Sequence, residues 1–144
     1  MRTTLTDSLL FIFLLILFFS CSKSPDNGFN ELTKEEYEII INKGTEPKFS
    51  GQYNEHKEVG TYICKQCDQP LFKSVDKFDS KTGWPSFDDF IPGNVNRKNA
   101  DAVYTELTCS KCQGHLGHAK KGEKFTPKNI RFCINSLALK FIKD

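Results

Sequence analysis

The chain lacks any block of like charge. Its 20 Lys and Arg residues are interspersed with 18 Asp and Glu, for a net charge of +2, so no nucleic-acid footprint is implied. It has no internal repeat, which excludes a solenoid, and no low-complexity stretch. No apolar run is long enough to span a bilayer as a mature helix. The run Leu9 to Phe19 falls short of the ~20 residues a span needs. Tryptophan and histidine are scarce, at one Trp and three His. Cysteine is not scarce: there are six, and sorting them organises the rest of the reading.

Cys21 follows the apolar segment directly. A cationic start (the amino terminus and Arg2) precedes that segment, and Ser22-Lys23-Ser24-Pro25-Asp26-Asn27-Gly28 follows it. This is the layout of a secretory signal. It resembles a bacterial lipoprotein signal, in which the cysteine is lipidated and becomes the mature N-terminus. The alternatives are an ordinary cleaved signal or an uncleaved anchor, and all three export the protein. The expected organisation is therefore a signal peptide over residues 1–20, a lipidated tether over 21–31 and one folded domain over 32–144. The expected location is the periplasmic side of the bacterial cell envelope, with attachment to a membrane through lipid at Cys21.

The mature chain of about 120 residues is one domain with a modest core, which a metal or crosslinks would help. Thr33-Lys34-Glu35-Glu36 reads as a capping box opening a helix. Tyr37, Ile40 and Ile41 supply its apolar face and Gly44 its stop. Beyond it the pattern becomes β. Thr61-Tyr62-Ile63, Val103 to Leu107 and Ile130 to Ile134 are short, β-branched or aromatic, and separated by Gly, Pro, Asn and Asp. The expectation is a mainly β fold with a short N-terminal helix.

Cys64 and Cys67 form one C-x-x-C pair, and Cys109 and Cys112 a second. Each follows a predicted strand, and two such turns aim four sulfurs at one point, which suits tetrahedral zinc. Two disulfides among the same cysteines are the alternative in an oxidising compartment. A thioredoxin-like redox pair is disfavoured, because no βαβ pattern surrounds either motif. A four-cysteine site leaves no open position for water, so the zinc would be structural.

That leaves Cys133, in Arg131-Phe132-Cys133-Ile134-Asn135-Ser136. Period-2 alternation puts Ile130, Phe132 and Ile134 on one strand face and Arg131, Cys133 and Asn135 on the other. A neighbouring Arg and any protonated His would lower the thiol pKa. The bland reading is a buried inert cysteine. The apolar parity reverses at Leu137, Leu139 and Phe141, which predicts a bulge or turn near Asn135-Ser136. His115 and His118 are three apart, on opposite faces of a straight strand, unless Gly114 and Gly117 bend the path. They are otherwise surface histidines or extra metal ligands. His56 lies in a charged stretch and reads as solvated. Trp84, in Gly83-Trp84-Pro85-Ser86-Phe87, is either core packing or a flat apolar wall.

Five separate blocks in order resemble the methionine sulfoxide reductase B family. They are Gly44-Thr45-Glu46 with Phe49 and Gly51-Gln52-Tyr53; Gly60 to Cys67 with Leu71-Phe72; Ser80 to Phe87; His115 to His118; and Arg131 to Ser136. The resemblance runs from about Leu32 to Phe141. It implies two antiparallel sheets with zinc on Cys64, Cys67, Cys109 and Cys112. It also implies an activity, the reduction of methionine R-sulfoxide in oxidised proteins or peptides, or free. Cys133 resembles the nucleophile and Trp84 the wall that receives the substrate methyl, with Phe132 flanking the pocket. His115, His118, Arg131 and Asn135 resemble the polar network around the sulfoxide oxygen. The implied chemistry is attack by the Cys133 thiolate while His118 protonates the oxygen, leaving a cysteine sulfenic acid.

The departures carry their own implications. Thr82 stands where many members have a resolving cysteine, so an external thioredoxin-like thiol is the expected reductant. Tyr104 replaces a usual Arg, and Ala119-Lys120 a usual Val-Phe. A monomer is expected. The competing reading is a zinc-stabilised lipoprotein module that holds a ligand with Trp84 and the histidines without turnover. Cys133 discriminates, since only a reductase needs that thiol.

Overall fold

The computed structural model describes residues 28–144, and the apolar segment and Cys21 lie outside them. Helix α1 spans Lys34–Ile40 and opens with the expected capping box. The Thr33 side chain accepts from the Glu36 amide at 3.2 Å, and the Glu36 carboxylate accepts from the Thr33 amide at 2.9 Å. Its buried face differs from the expected one. Glu36, Ile39 and Ile40 are buried, whereas Tyr37 and Ile41 are exposed. Glu36 can be buried because the cap and an ion pair with Lys65 at 2.8 Å satisfy its charge. The fold also begins earlier than expected. Phe29 packs on the core, and the Asn30 side chain donates to Lys65 O at 2.9 Å, so part of the predicted tether is docked.

Nine strands follow: β1 Gly60–Cys64, β2 Pro70–Lys73, β3 Lys77–Phe78, β4 Ser86–Phe87, β5 Val95–Arg97, β6 Tyr104–Cys109, β7 His115–Lys121, β8 Ile130–Ile134 and β9 Leu139–Lys143. They form two antiparallel sheets, as the resemblance implied. The smaller is ordered β2-β1-β9 and the larger β3-β4-β8-β7-β6-β5. The chain crosses from one to the other at a 3-10 turn, Ser136–Ala138. This turn is the break that the parity reversal predicted: Leu139 is buried and joins Cys64 in the smaller sheet.

Aromatic rings fill the space between the sheets. Tyr62 of β1 meets Phe87 of β4 edge-on at 5.1 Å, and Phe72 of β2 stacks on Phe87 at 4.5 Å. All three are fully buried, each worth about 1.5–3 kcal/mol relative to exposure. His56 belongs to this cluster rather than to solvent. It bonds the Tyr62 hydroxyl at 2.8 Å and meets Phe141 at 4.3 Å.

The larger sheet has two unlike faces. One carries Phe87, Phe132, Ile134 and Leu107 into the core. The other is polar, and the ladder sets it out in rows. Ser86 pairs Cys133, Cys133 pairs His118, and His118 pairs Glu106. The next row holds Arg131, Lys120 and Tyr104.

Candidate active site

Cys133 and His118 are directly opposite in the β7–β8 ladder, so their side chains leave the sheet on the same face. His115 reaches that face through a bulge. Thr108 pairs His115 and Leu107 pairs Gly117, so Leu116 is the extra residue. The bulge turns a three-residue separation into a two-residue one, which puts both histidines on one side with ring centroids 5.1 Å apart. Gly117 then passes against β8 so closely that a Cβ would lie 2.0 Å from the Cys133 carbonyl oxygen.

A cavity of about 90 Å³ opens above Cys133, lined in part by Trp84, Tyr104, His118, Lys120 and Asn135. Trp84 is fixed by hydrogen bonds that span the sequence. Its indole Nε1 donates to Glu46 O at 3.0 Å. The Glu46 amide donates to Asn135 Oδ1 at 3.0 Å, and Asn135 Nδ2 donates to Leu116 O at 3.2 Å. Gly83 permits the approach: with φ +96°, it would carry a Cβ 2.9 Å from the Phe49 amide. The Glu46 carboxylate accepts from Leu137 N at 3.2 Å, and burial pushes its pKa up.

Arg131 is only 2% exposed. Its Nε and Nη2 donate to the two Glu123 oxygens at 2.8 and 3.0 Å, and Nη1 donates to Thr82 Oγ1 at 3.2 Å. The charges of the guanidinium and of Lys120 also pull the Cys133 thiol pKa down. Burial outweighs both, and the net direction is up. The histidines do not add positive charge. Burial pushes His118 down, reinforced by His115, and burial pushes His115 down against the pull of Glu106. At neutral pH the site therefore rests with a protonated thiol beside two neutral imidazoles. This differs from the thiolate expected from sequence, where neither the burial of β8 nor that of β7 was visible.

The two C-x-x-C turns meet at the far end of β1 and β6. All four sulfurs lie within 4.8 Å of one another. Cys64 Sγ and Cys112 Sγ are 3.6 Å apart, and Cys67 Sγ and Cys109 Sγ 3.5 Å. All four are free thiols in this structure, since an S–S bond is about 2.05 Å. The spacing matches a tetrahedron of Zn–S bonds of about 2.3 Å. The turns are alike: Asp68 and Gln113, each following its second cysteine, have φ +60° and +62°. The Asp68 amide donates to Cys64 O and the Gln113 amide to Cys109 O. Four mostly buried thiols with no carboxylate or imidazole among them fit a soft divalent cation such as zinc.

A SelR domain is recognised over residues 32–143. Peptide methionine sulfoxide reductase B6 of Arabidopsis thaliana is 46% identical over 121 residues, covering 83% of this chain and 79% of the relative. Peptide methionine sulfoxide reductase MsrB of Leptospira interrogans is 41% identical over 131 residues, covering 88% and 98%. The chain belongs to the methionine sulfoxide reductase B family.

The structure distributes the residues singled out by family resemblance over three layers. Cys133, His118, Trp84 and Asn135 line the cavity. His115, at 1% exposure, and Arg131 lie behind it. The His115 Nδ1 faces Glu106 Oε1 at 3.1 Å. Phe132 is on the opposite face of β8, buried against Phe90 at 5.1 Å, so it supports the sheet rather than the cavity. Thr82, at the position of the resolving cysteine in many members of the methionine sulfoxide reductase B family, is hydrogen-bonded to Arg131. Sequence reasoning missed Glu46, which ties Trp84 to Asn135. It also missed Glu123, which clamps Arg131. Glu46 stood in a block quoted for the resemblance but was given no role. Glu123 sits in an irregular segment where no periodicity points to it.

Proposed function

We propose that the chain reduces methionine R-sulfoxide, in oxidised proteins or peptides, to methionine. It is an oxidoreductase of the peptide methionine sulfoxide reductase B class, and its activity is methionine sulfoxide reduction and repair. The observation that carries the mechanism is Cys133 facing His118 across one ladder position, at the base of a cavity walled by Trp84.

The resting protonation states define the proton's path. His118, a neutral imidazole, takes the Cys133 proton as the sulfur attacks the sulfoxide sulfur, and passes it to the sulfoxide oxygen. The hydroxyl then moves from the methionine sulfur to the Cys133 sulfur: the methionine S–O bond breaks, the Cys133 S–O bond forms, and the electron pair of the S–S bond made by the attack returns to the methionine sulfur. The products are methionine, reduced by two electrons, and a cysteine sulfenic acid, oxidised by two. An outside thiol then condenses with the sulfenic acid, releasing water, and a second thiol releases Cys133 by exchange. Thr82 offers no thiol, and the other four cysteines of the described residues sit in the four-sulfur cluster. The reductant is a thioredoxin-like protein. Zinc, where bound, holds β1 to β6 and takes no part in the reaction.

The signal-like segment before Cys21 supports export and lipid attachment on the periplasmic side of a bacterial envelope, where a monomer would act on oxidised protein. A diacylated Cys21 at the mature N-terminus, seen by mass spectrometry, is the check. No helix of the described residues is long and apolar enough to cross a membrane.

The deciding experiment uses dabsylated methionine R-sulfoxide with dithiothreitol as reductant. Turnover is expected from the wild type and none from Cys133→Ser. Wild-type protein given substrate without reductant should yield a dimedone adduct on Cys133. Activity that survives Cys133→Ser, or a Cys133 disulfide within the chain, would refute the mechanism.

A further inference from the structure

Two departures from the family pattern, Tyr104 and Lys120, meet at the cavity. Tyr104 lies flat on the His118 ring at 4.6 Å with 12° between planes. Lys120, opposite Tyr104 in the ladder, holds its ammonium 5.6 Å from the Tyr104 ring centre. The other aromatic wall is built alike: Lys48 Nζ sits 5.6 Å from the Trp84 ring centre. Both aromatics and Lys120 line the cavity over Cys133. Each aromatic wall of the proposed reaction site therefore carries an ammonium on its face.

Neither ammonium has a carboxylate partner among the described residues. Six other lysines do: Lys43, Lys65, Lys81, Lys128, Lys140 and Lys143 each lie within ion-pair distance of an Asp or Glu. Glu123 is the acid that feels Lys120, but both its oxygens are held by Arg131. A ring face restrains an ammonium only weakly and leaves its N–H groups without an oxygen acceptor. Its N–H donors stay available to an anion.

We propose that Lys48 and Lys120 form a subsite for a carboxylate lying next to the sulfoxide in the substrate. This rests on the reductase reading and adds a preference to it. The carboxylate belongs either to an Asp or Glu side chain flanking the oxidised methionine or to the methionine's own terminal carboxylate. The cavity of about 90 Å³ holds little beyond the sulfoxide end of the substrate. Neighbouring groups must then rest outside it, near Lys120, which lines the cavity, and near Lys48, which sits against Trp84.

The test compares two substrate pairs with dithiothreitol, an uncharged reductant. One pair is an internal peptide with Glu, or Gln, on both sides of methionine R-sulfoxide. The other is N-acetyl-methionine R-sulfoxide and its amide. The carboxylate member of at least one pair should show kcat/KM roughly threefold or more above its partner, the size of an exposed ion pair. The pair that shows the preference identifies the source. The ratio should fall toward one in Lys48→Gln with Lys120→Gln. It should also fall in wild type at high salt, where screening shortens the reach of charge to a few Å. Ratios near one in both pairs, or a ratio unmoved by the double substitution, would overturn the subsite. Failure to reduce any of the four compounds would instead count against the reductase reading.

Discussion

At the scale of the residue, Cys133 shows how burial and charge compete. Taking a thiol out of water disfavours its thiolate, and a guanidinium two residues along the strand favours it. Here burial wins, with Arg131 and Lys120 offsetting part of it. Cys133 should therefore be alkylated by iodoacetamide slowly at pH 7, with a rate that climbs toward a midpoint above the ordinary value of about 8.5. Arg131→Met removes the first-named offset, and the midpoint should move further up. A plateau already reached near pH 7 in the wild type would contradict the ordering of these effects. The sequence identified Cys133 as the cysteine without a structural role, because spacing sorted the other four of the domain into pairs. It could not give the direction of the thiol's shift. That depends on β8 lying between β4 and β7 in the sheet, and β4 is far from β8 in the chain.

At the scale of the element, the bulge in β7 is what makes a site from two histidines. On a straight strand, with no bulge at Leu116, His115 and His118 would be three apart and on opposite faces. The close pass of Gly117 over the Cys133 carbonyl is part of the same geometry, and only hydrogen fits there. Gly117→Ala should cost roughly 1–3 kcal/mol or more, since backbone rather than a movable side chain must give way. Gly93→Ala is the comparison: its φ is also positive, at +82°, but nothing lies within 4 Å of the added Cβ, so conformational strain of about 1–2 kcal/mol is the whole effect. Denaturant midpoints should place Gly117→Ala below Gly93→Ala, with the larger loss of activity. Equal midpoints would mean that β7 can shift. The strands themselves were legible because β-branched and aromatic residues cluster between turn formers. The face of α1 was less so. With two turns, it buries Glu36 and Ile39 beside Ile40 because Lys65, from another element, neutralises the acid. Hydropathy along the helix cannot report a partner so far away in sequence. His56 was misread for the same reason, its neighbours in sequence being charged and its neighbours in space aromatic.

At the scale of the molecule, the four cysteines join the two sheets. Cys64 ends β1 of the smaller sheet, Cys109 ends β6 of the larger, and the facing pairs are 48 and 42 residues apart. The C-x-x-C spacing disclosed the cluster, but not that it bridges sheets, because sheet membership is set by the crossing at Ser136–Ala138. Four such thiols cannot all ionise together without a cation. Mutual hydrogen bonding holds the Cys109 proton off while it drives the Cys64 pKa far up. A metal that binds all four as thiolates acts as a crosslink, and closing a loop of this length is worth about 4 kcal/mol on the chain-entropy account. Removing it with a strong chelator should release about one equivalent of zinc and expose four titratable thiols. The melting temperature should fall by roughly 10–20 °C, and Cys109→Ser should match it. Activity should fall with the metal. The Cys109–Cys112 turn leads directly into β7, so loosening it frees the strand that carries His115 and His118. A melting temperature unchanged after complete loss of metal, with all four thiols still reduced, would show that the aromatic layer alone holds the sheets together.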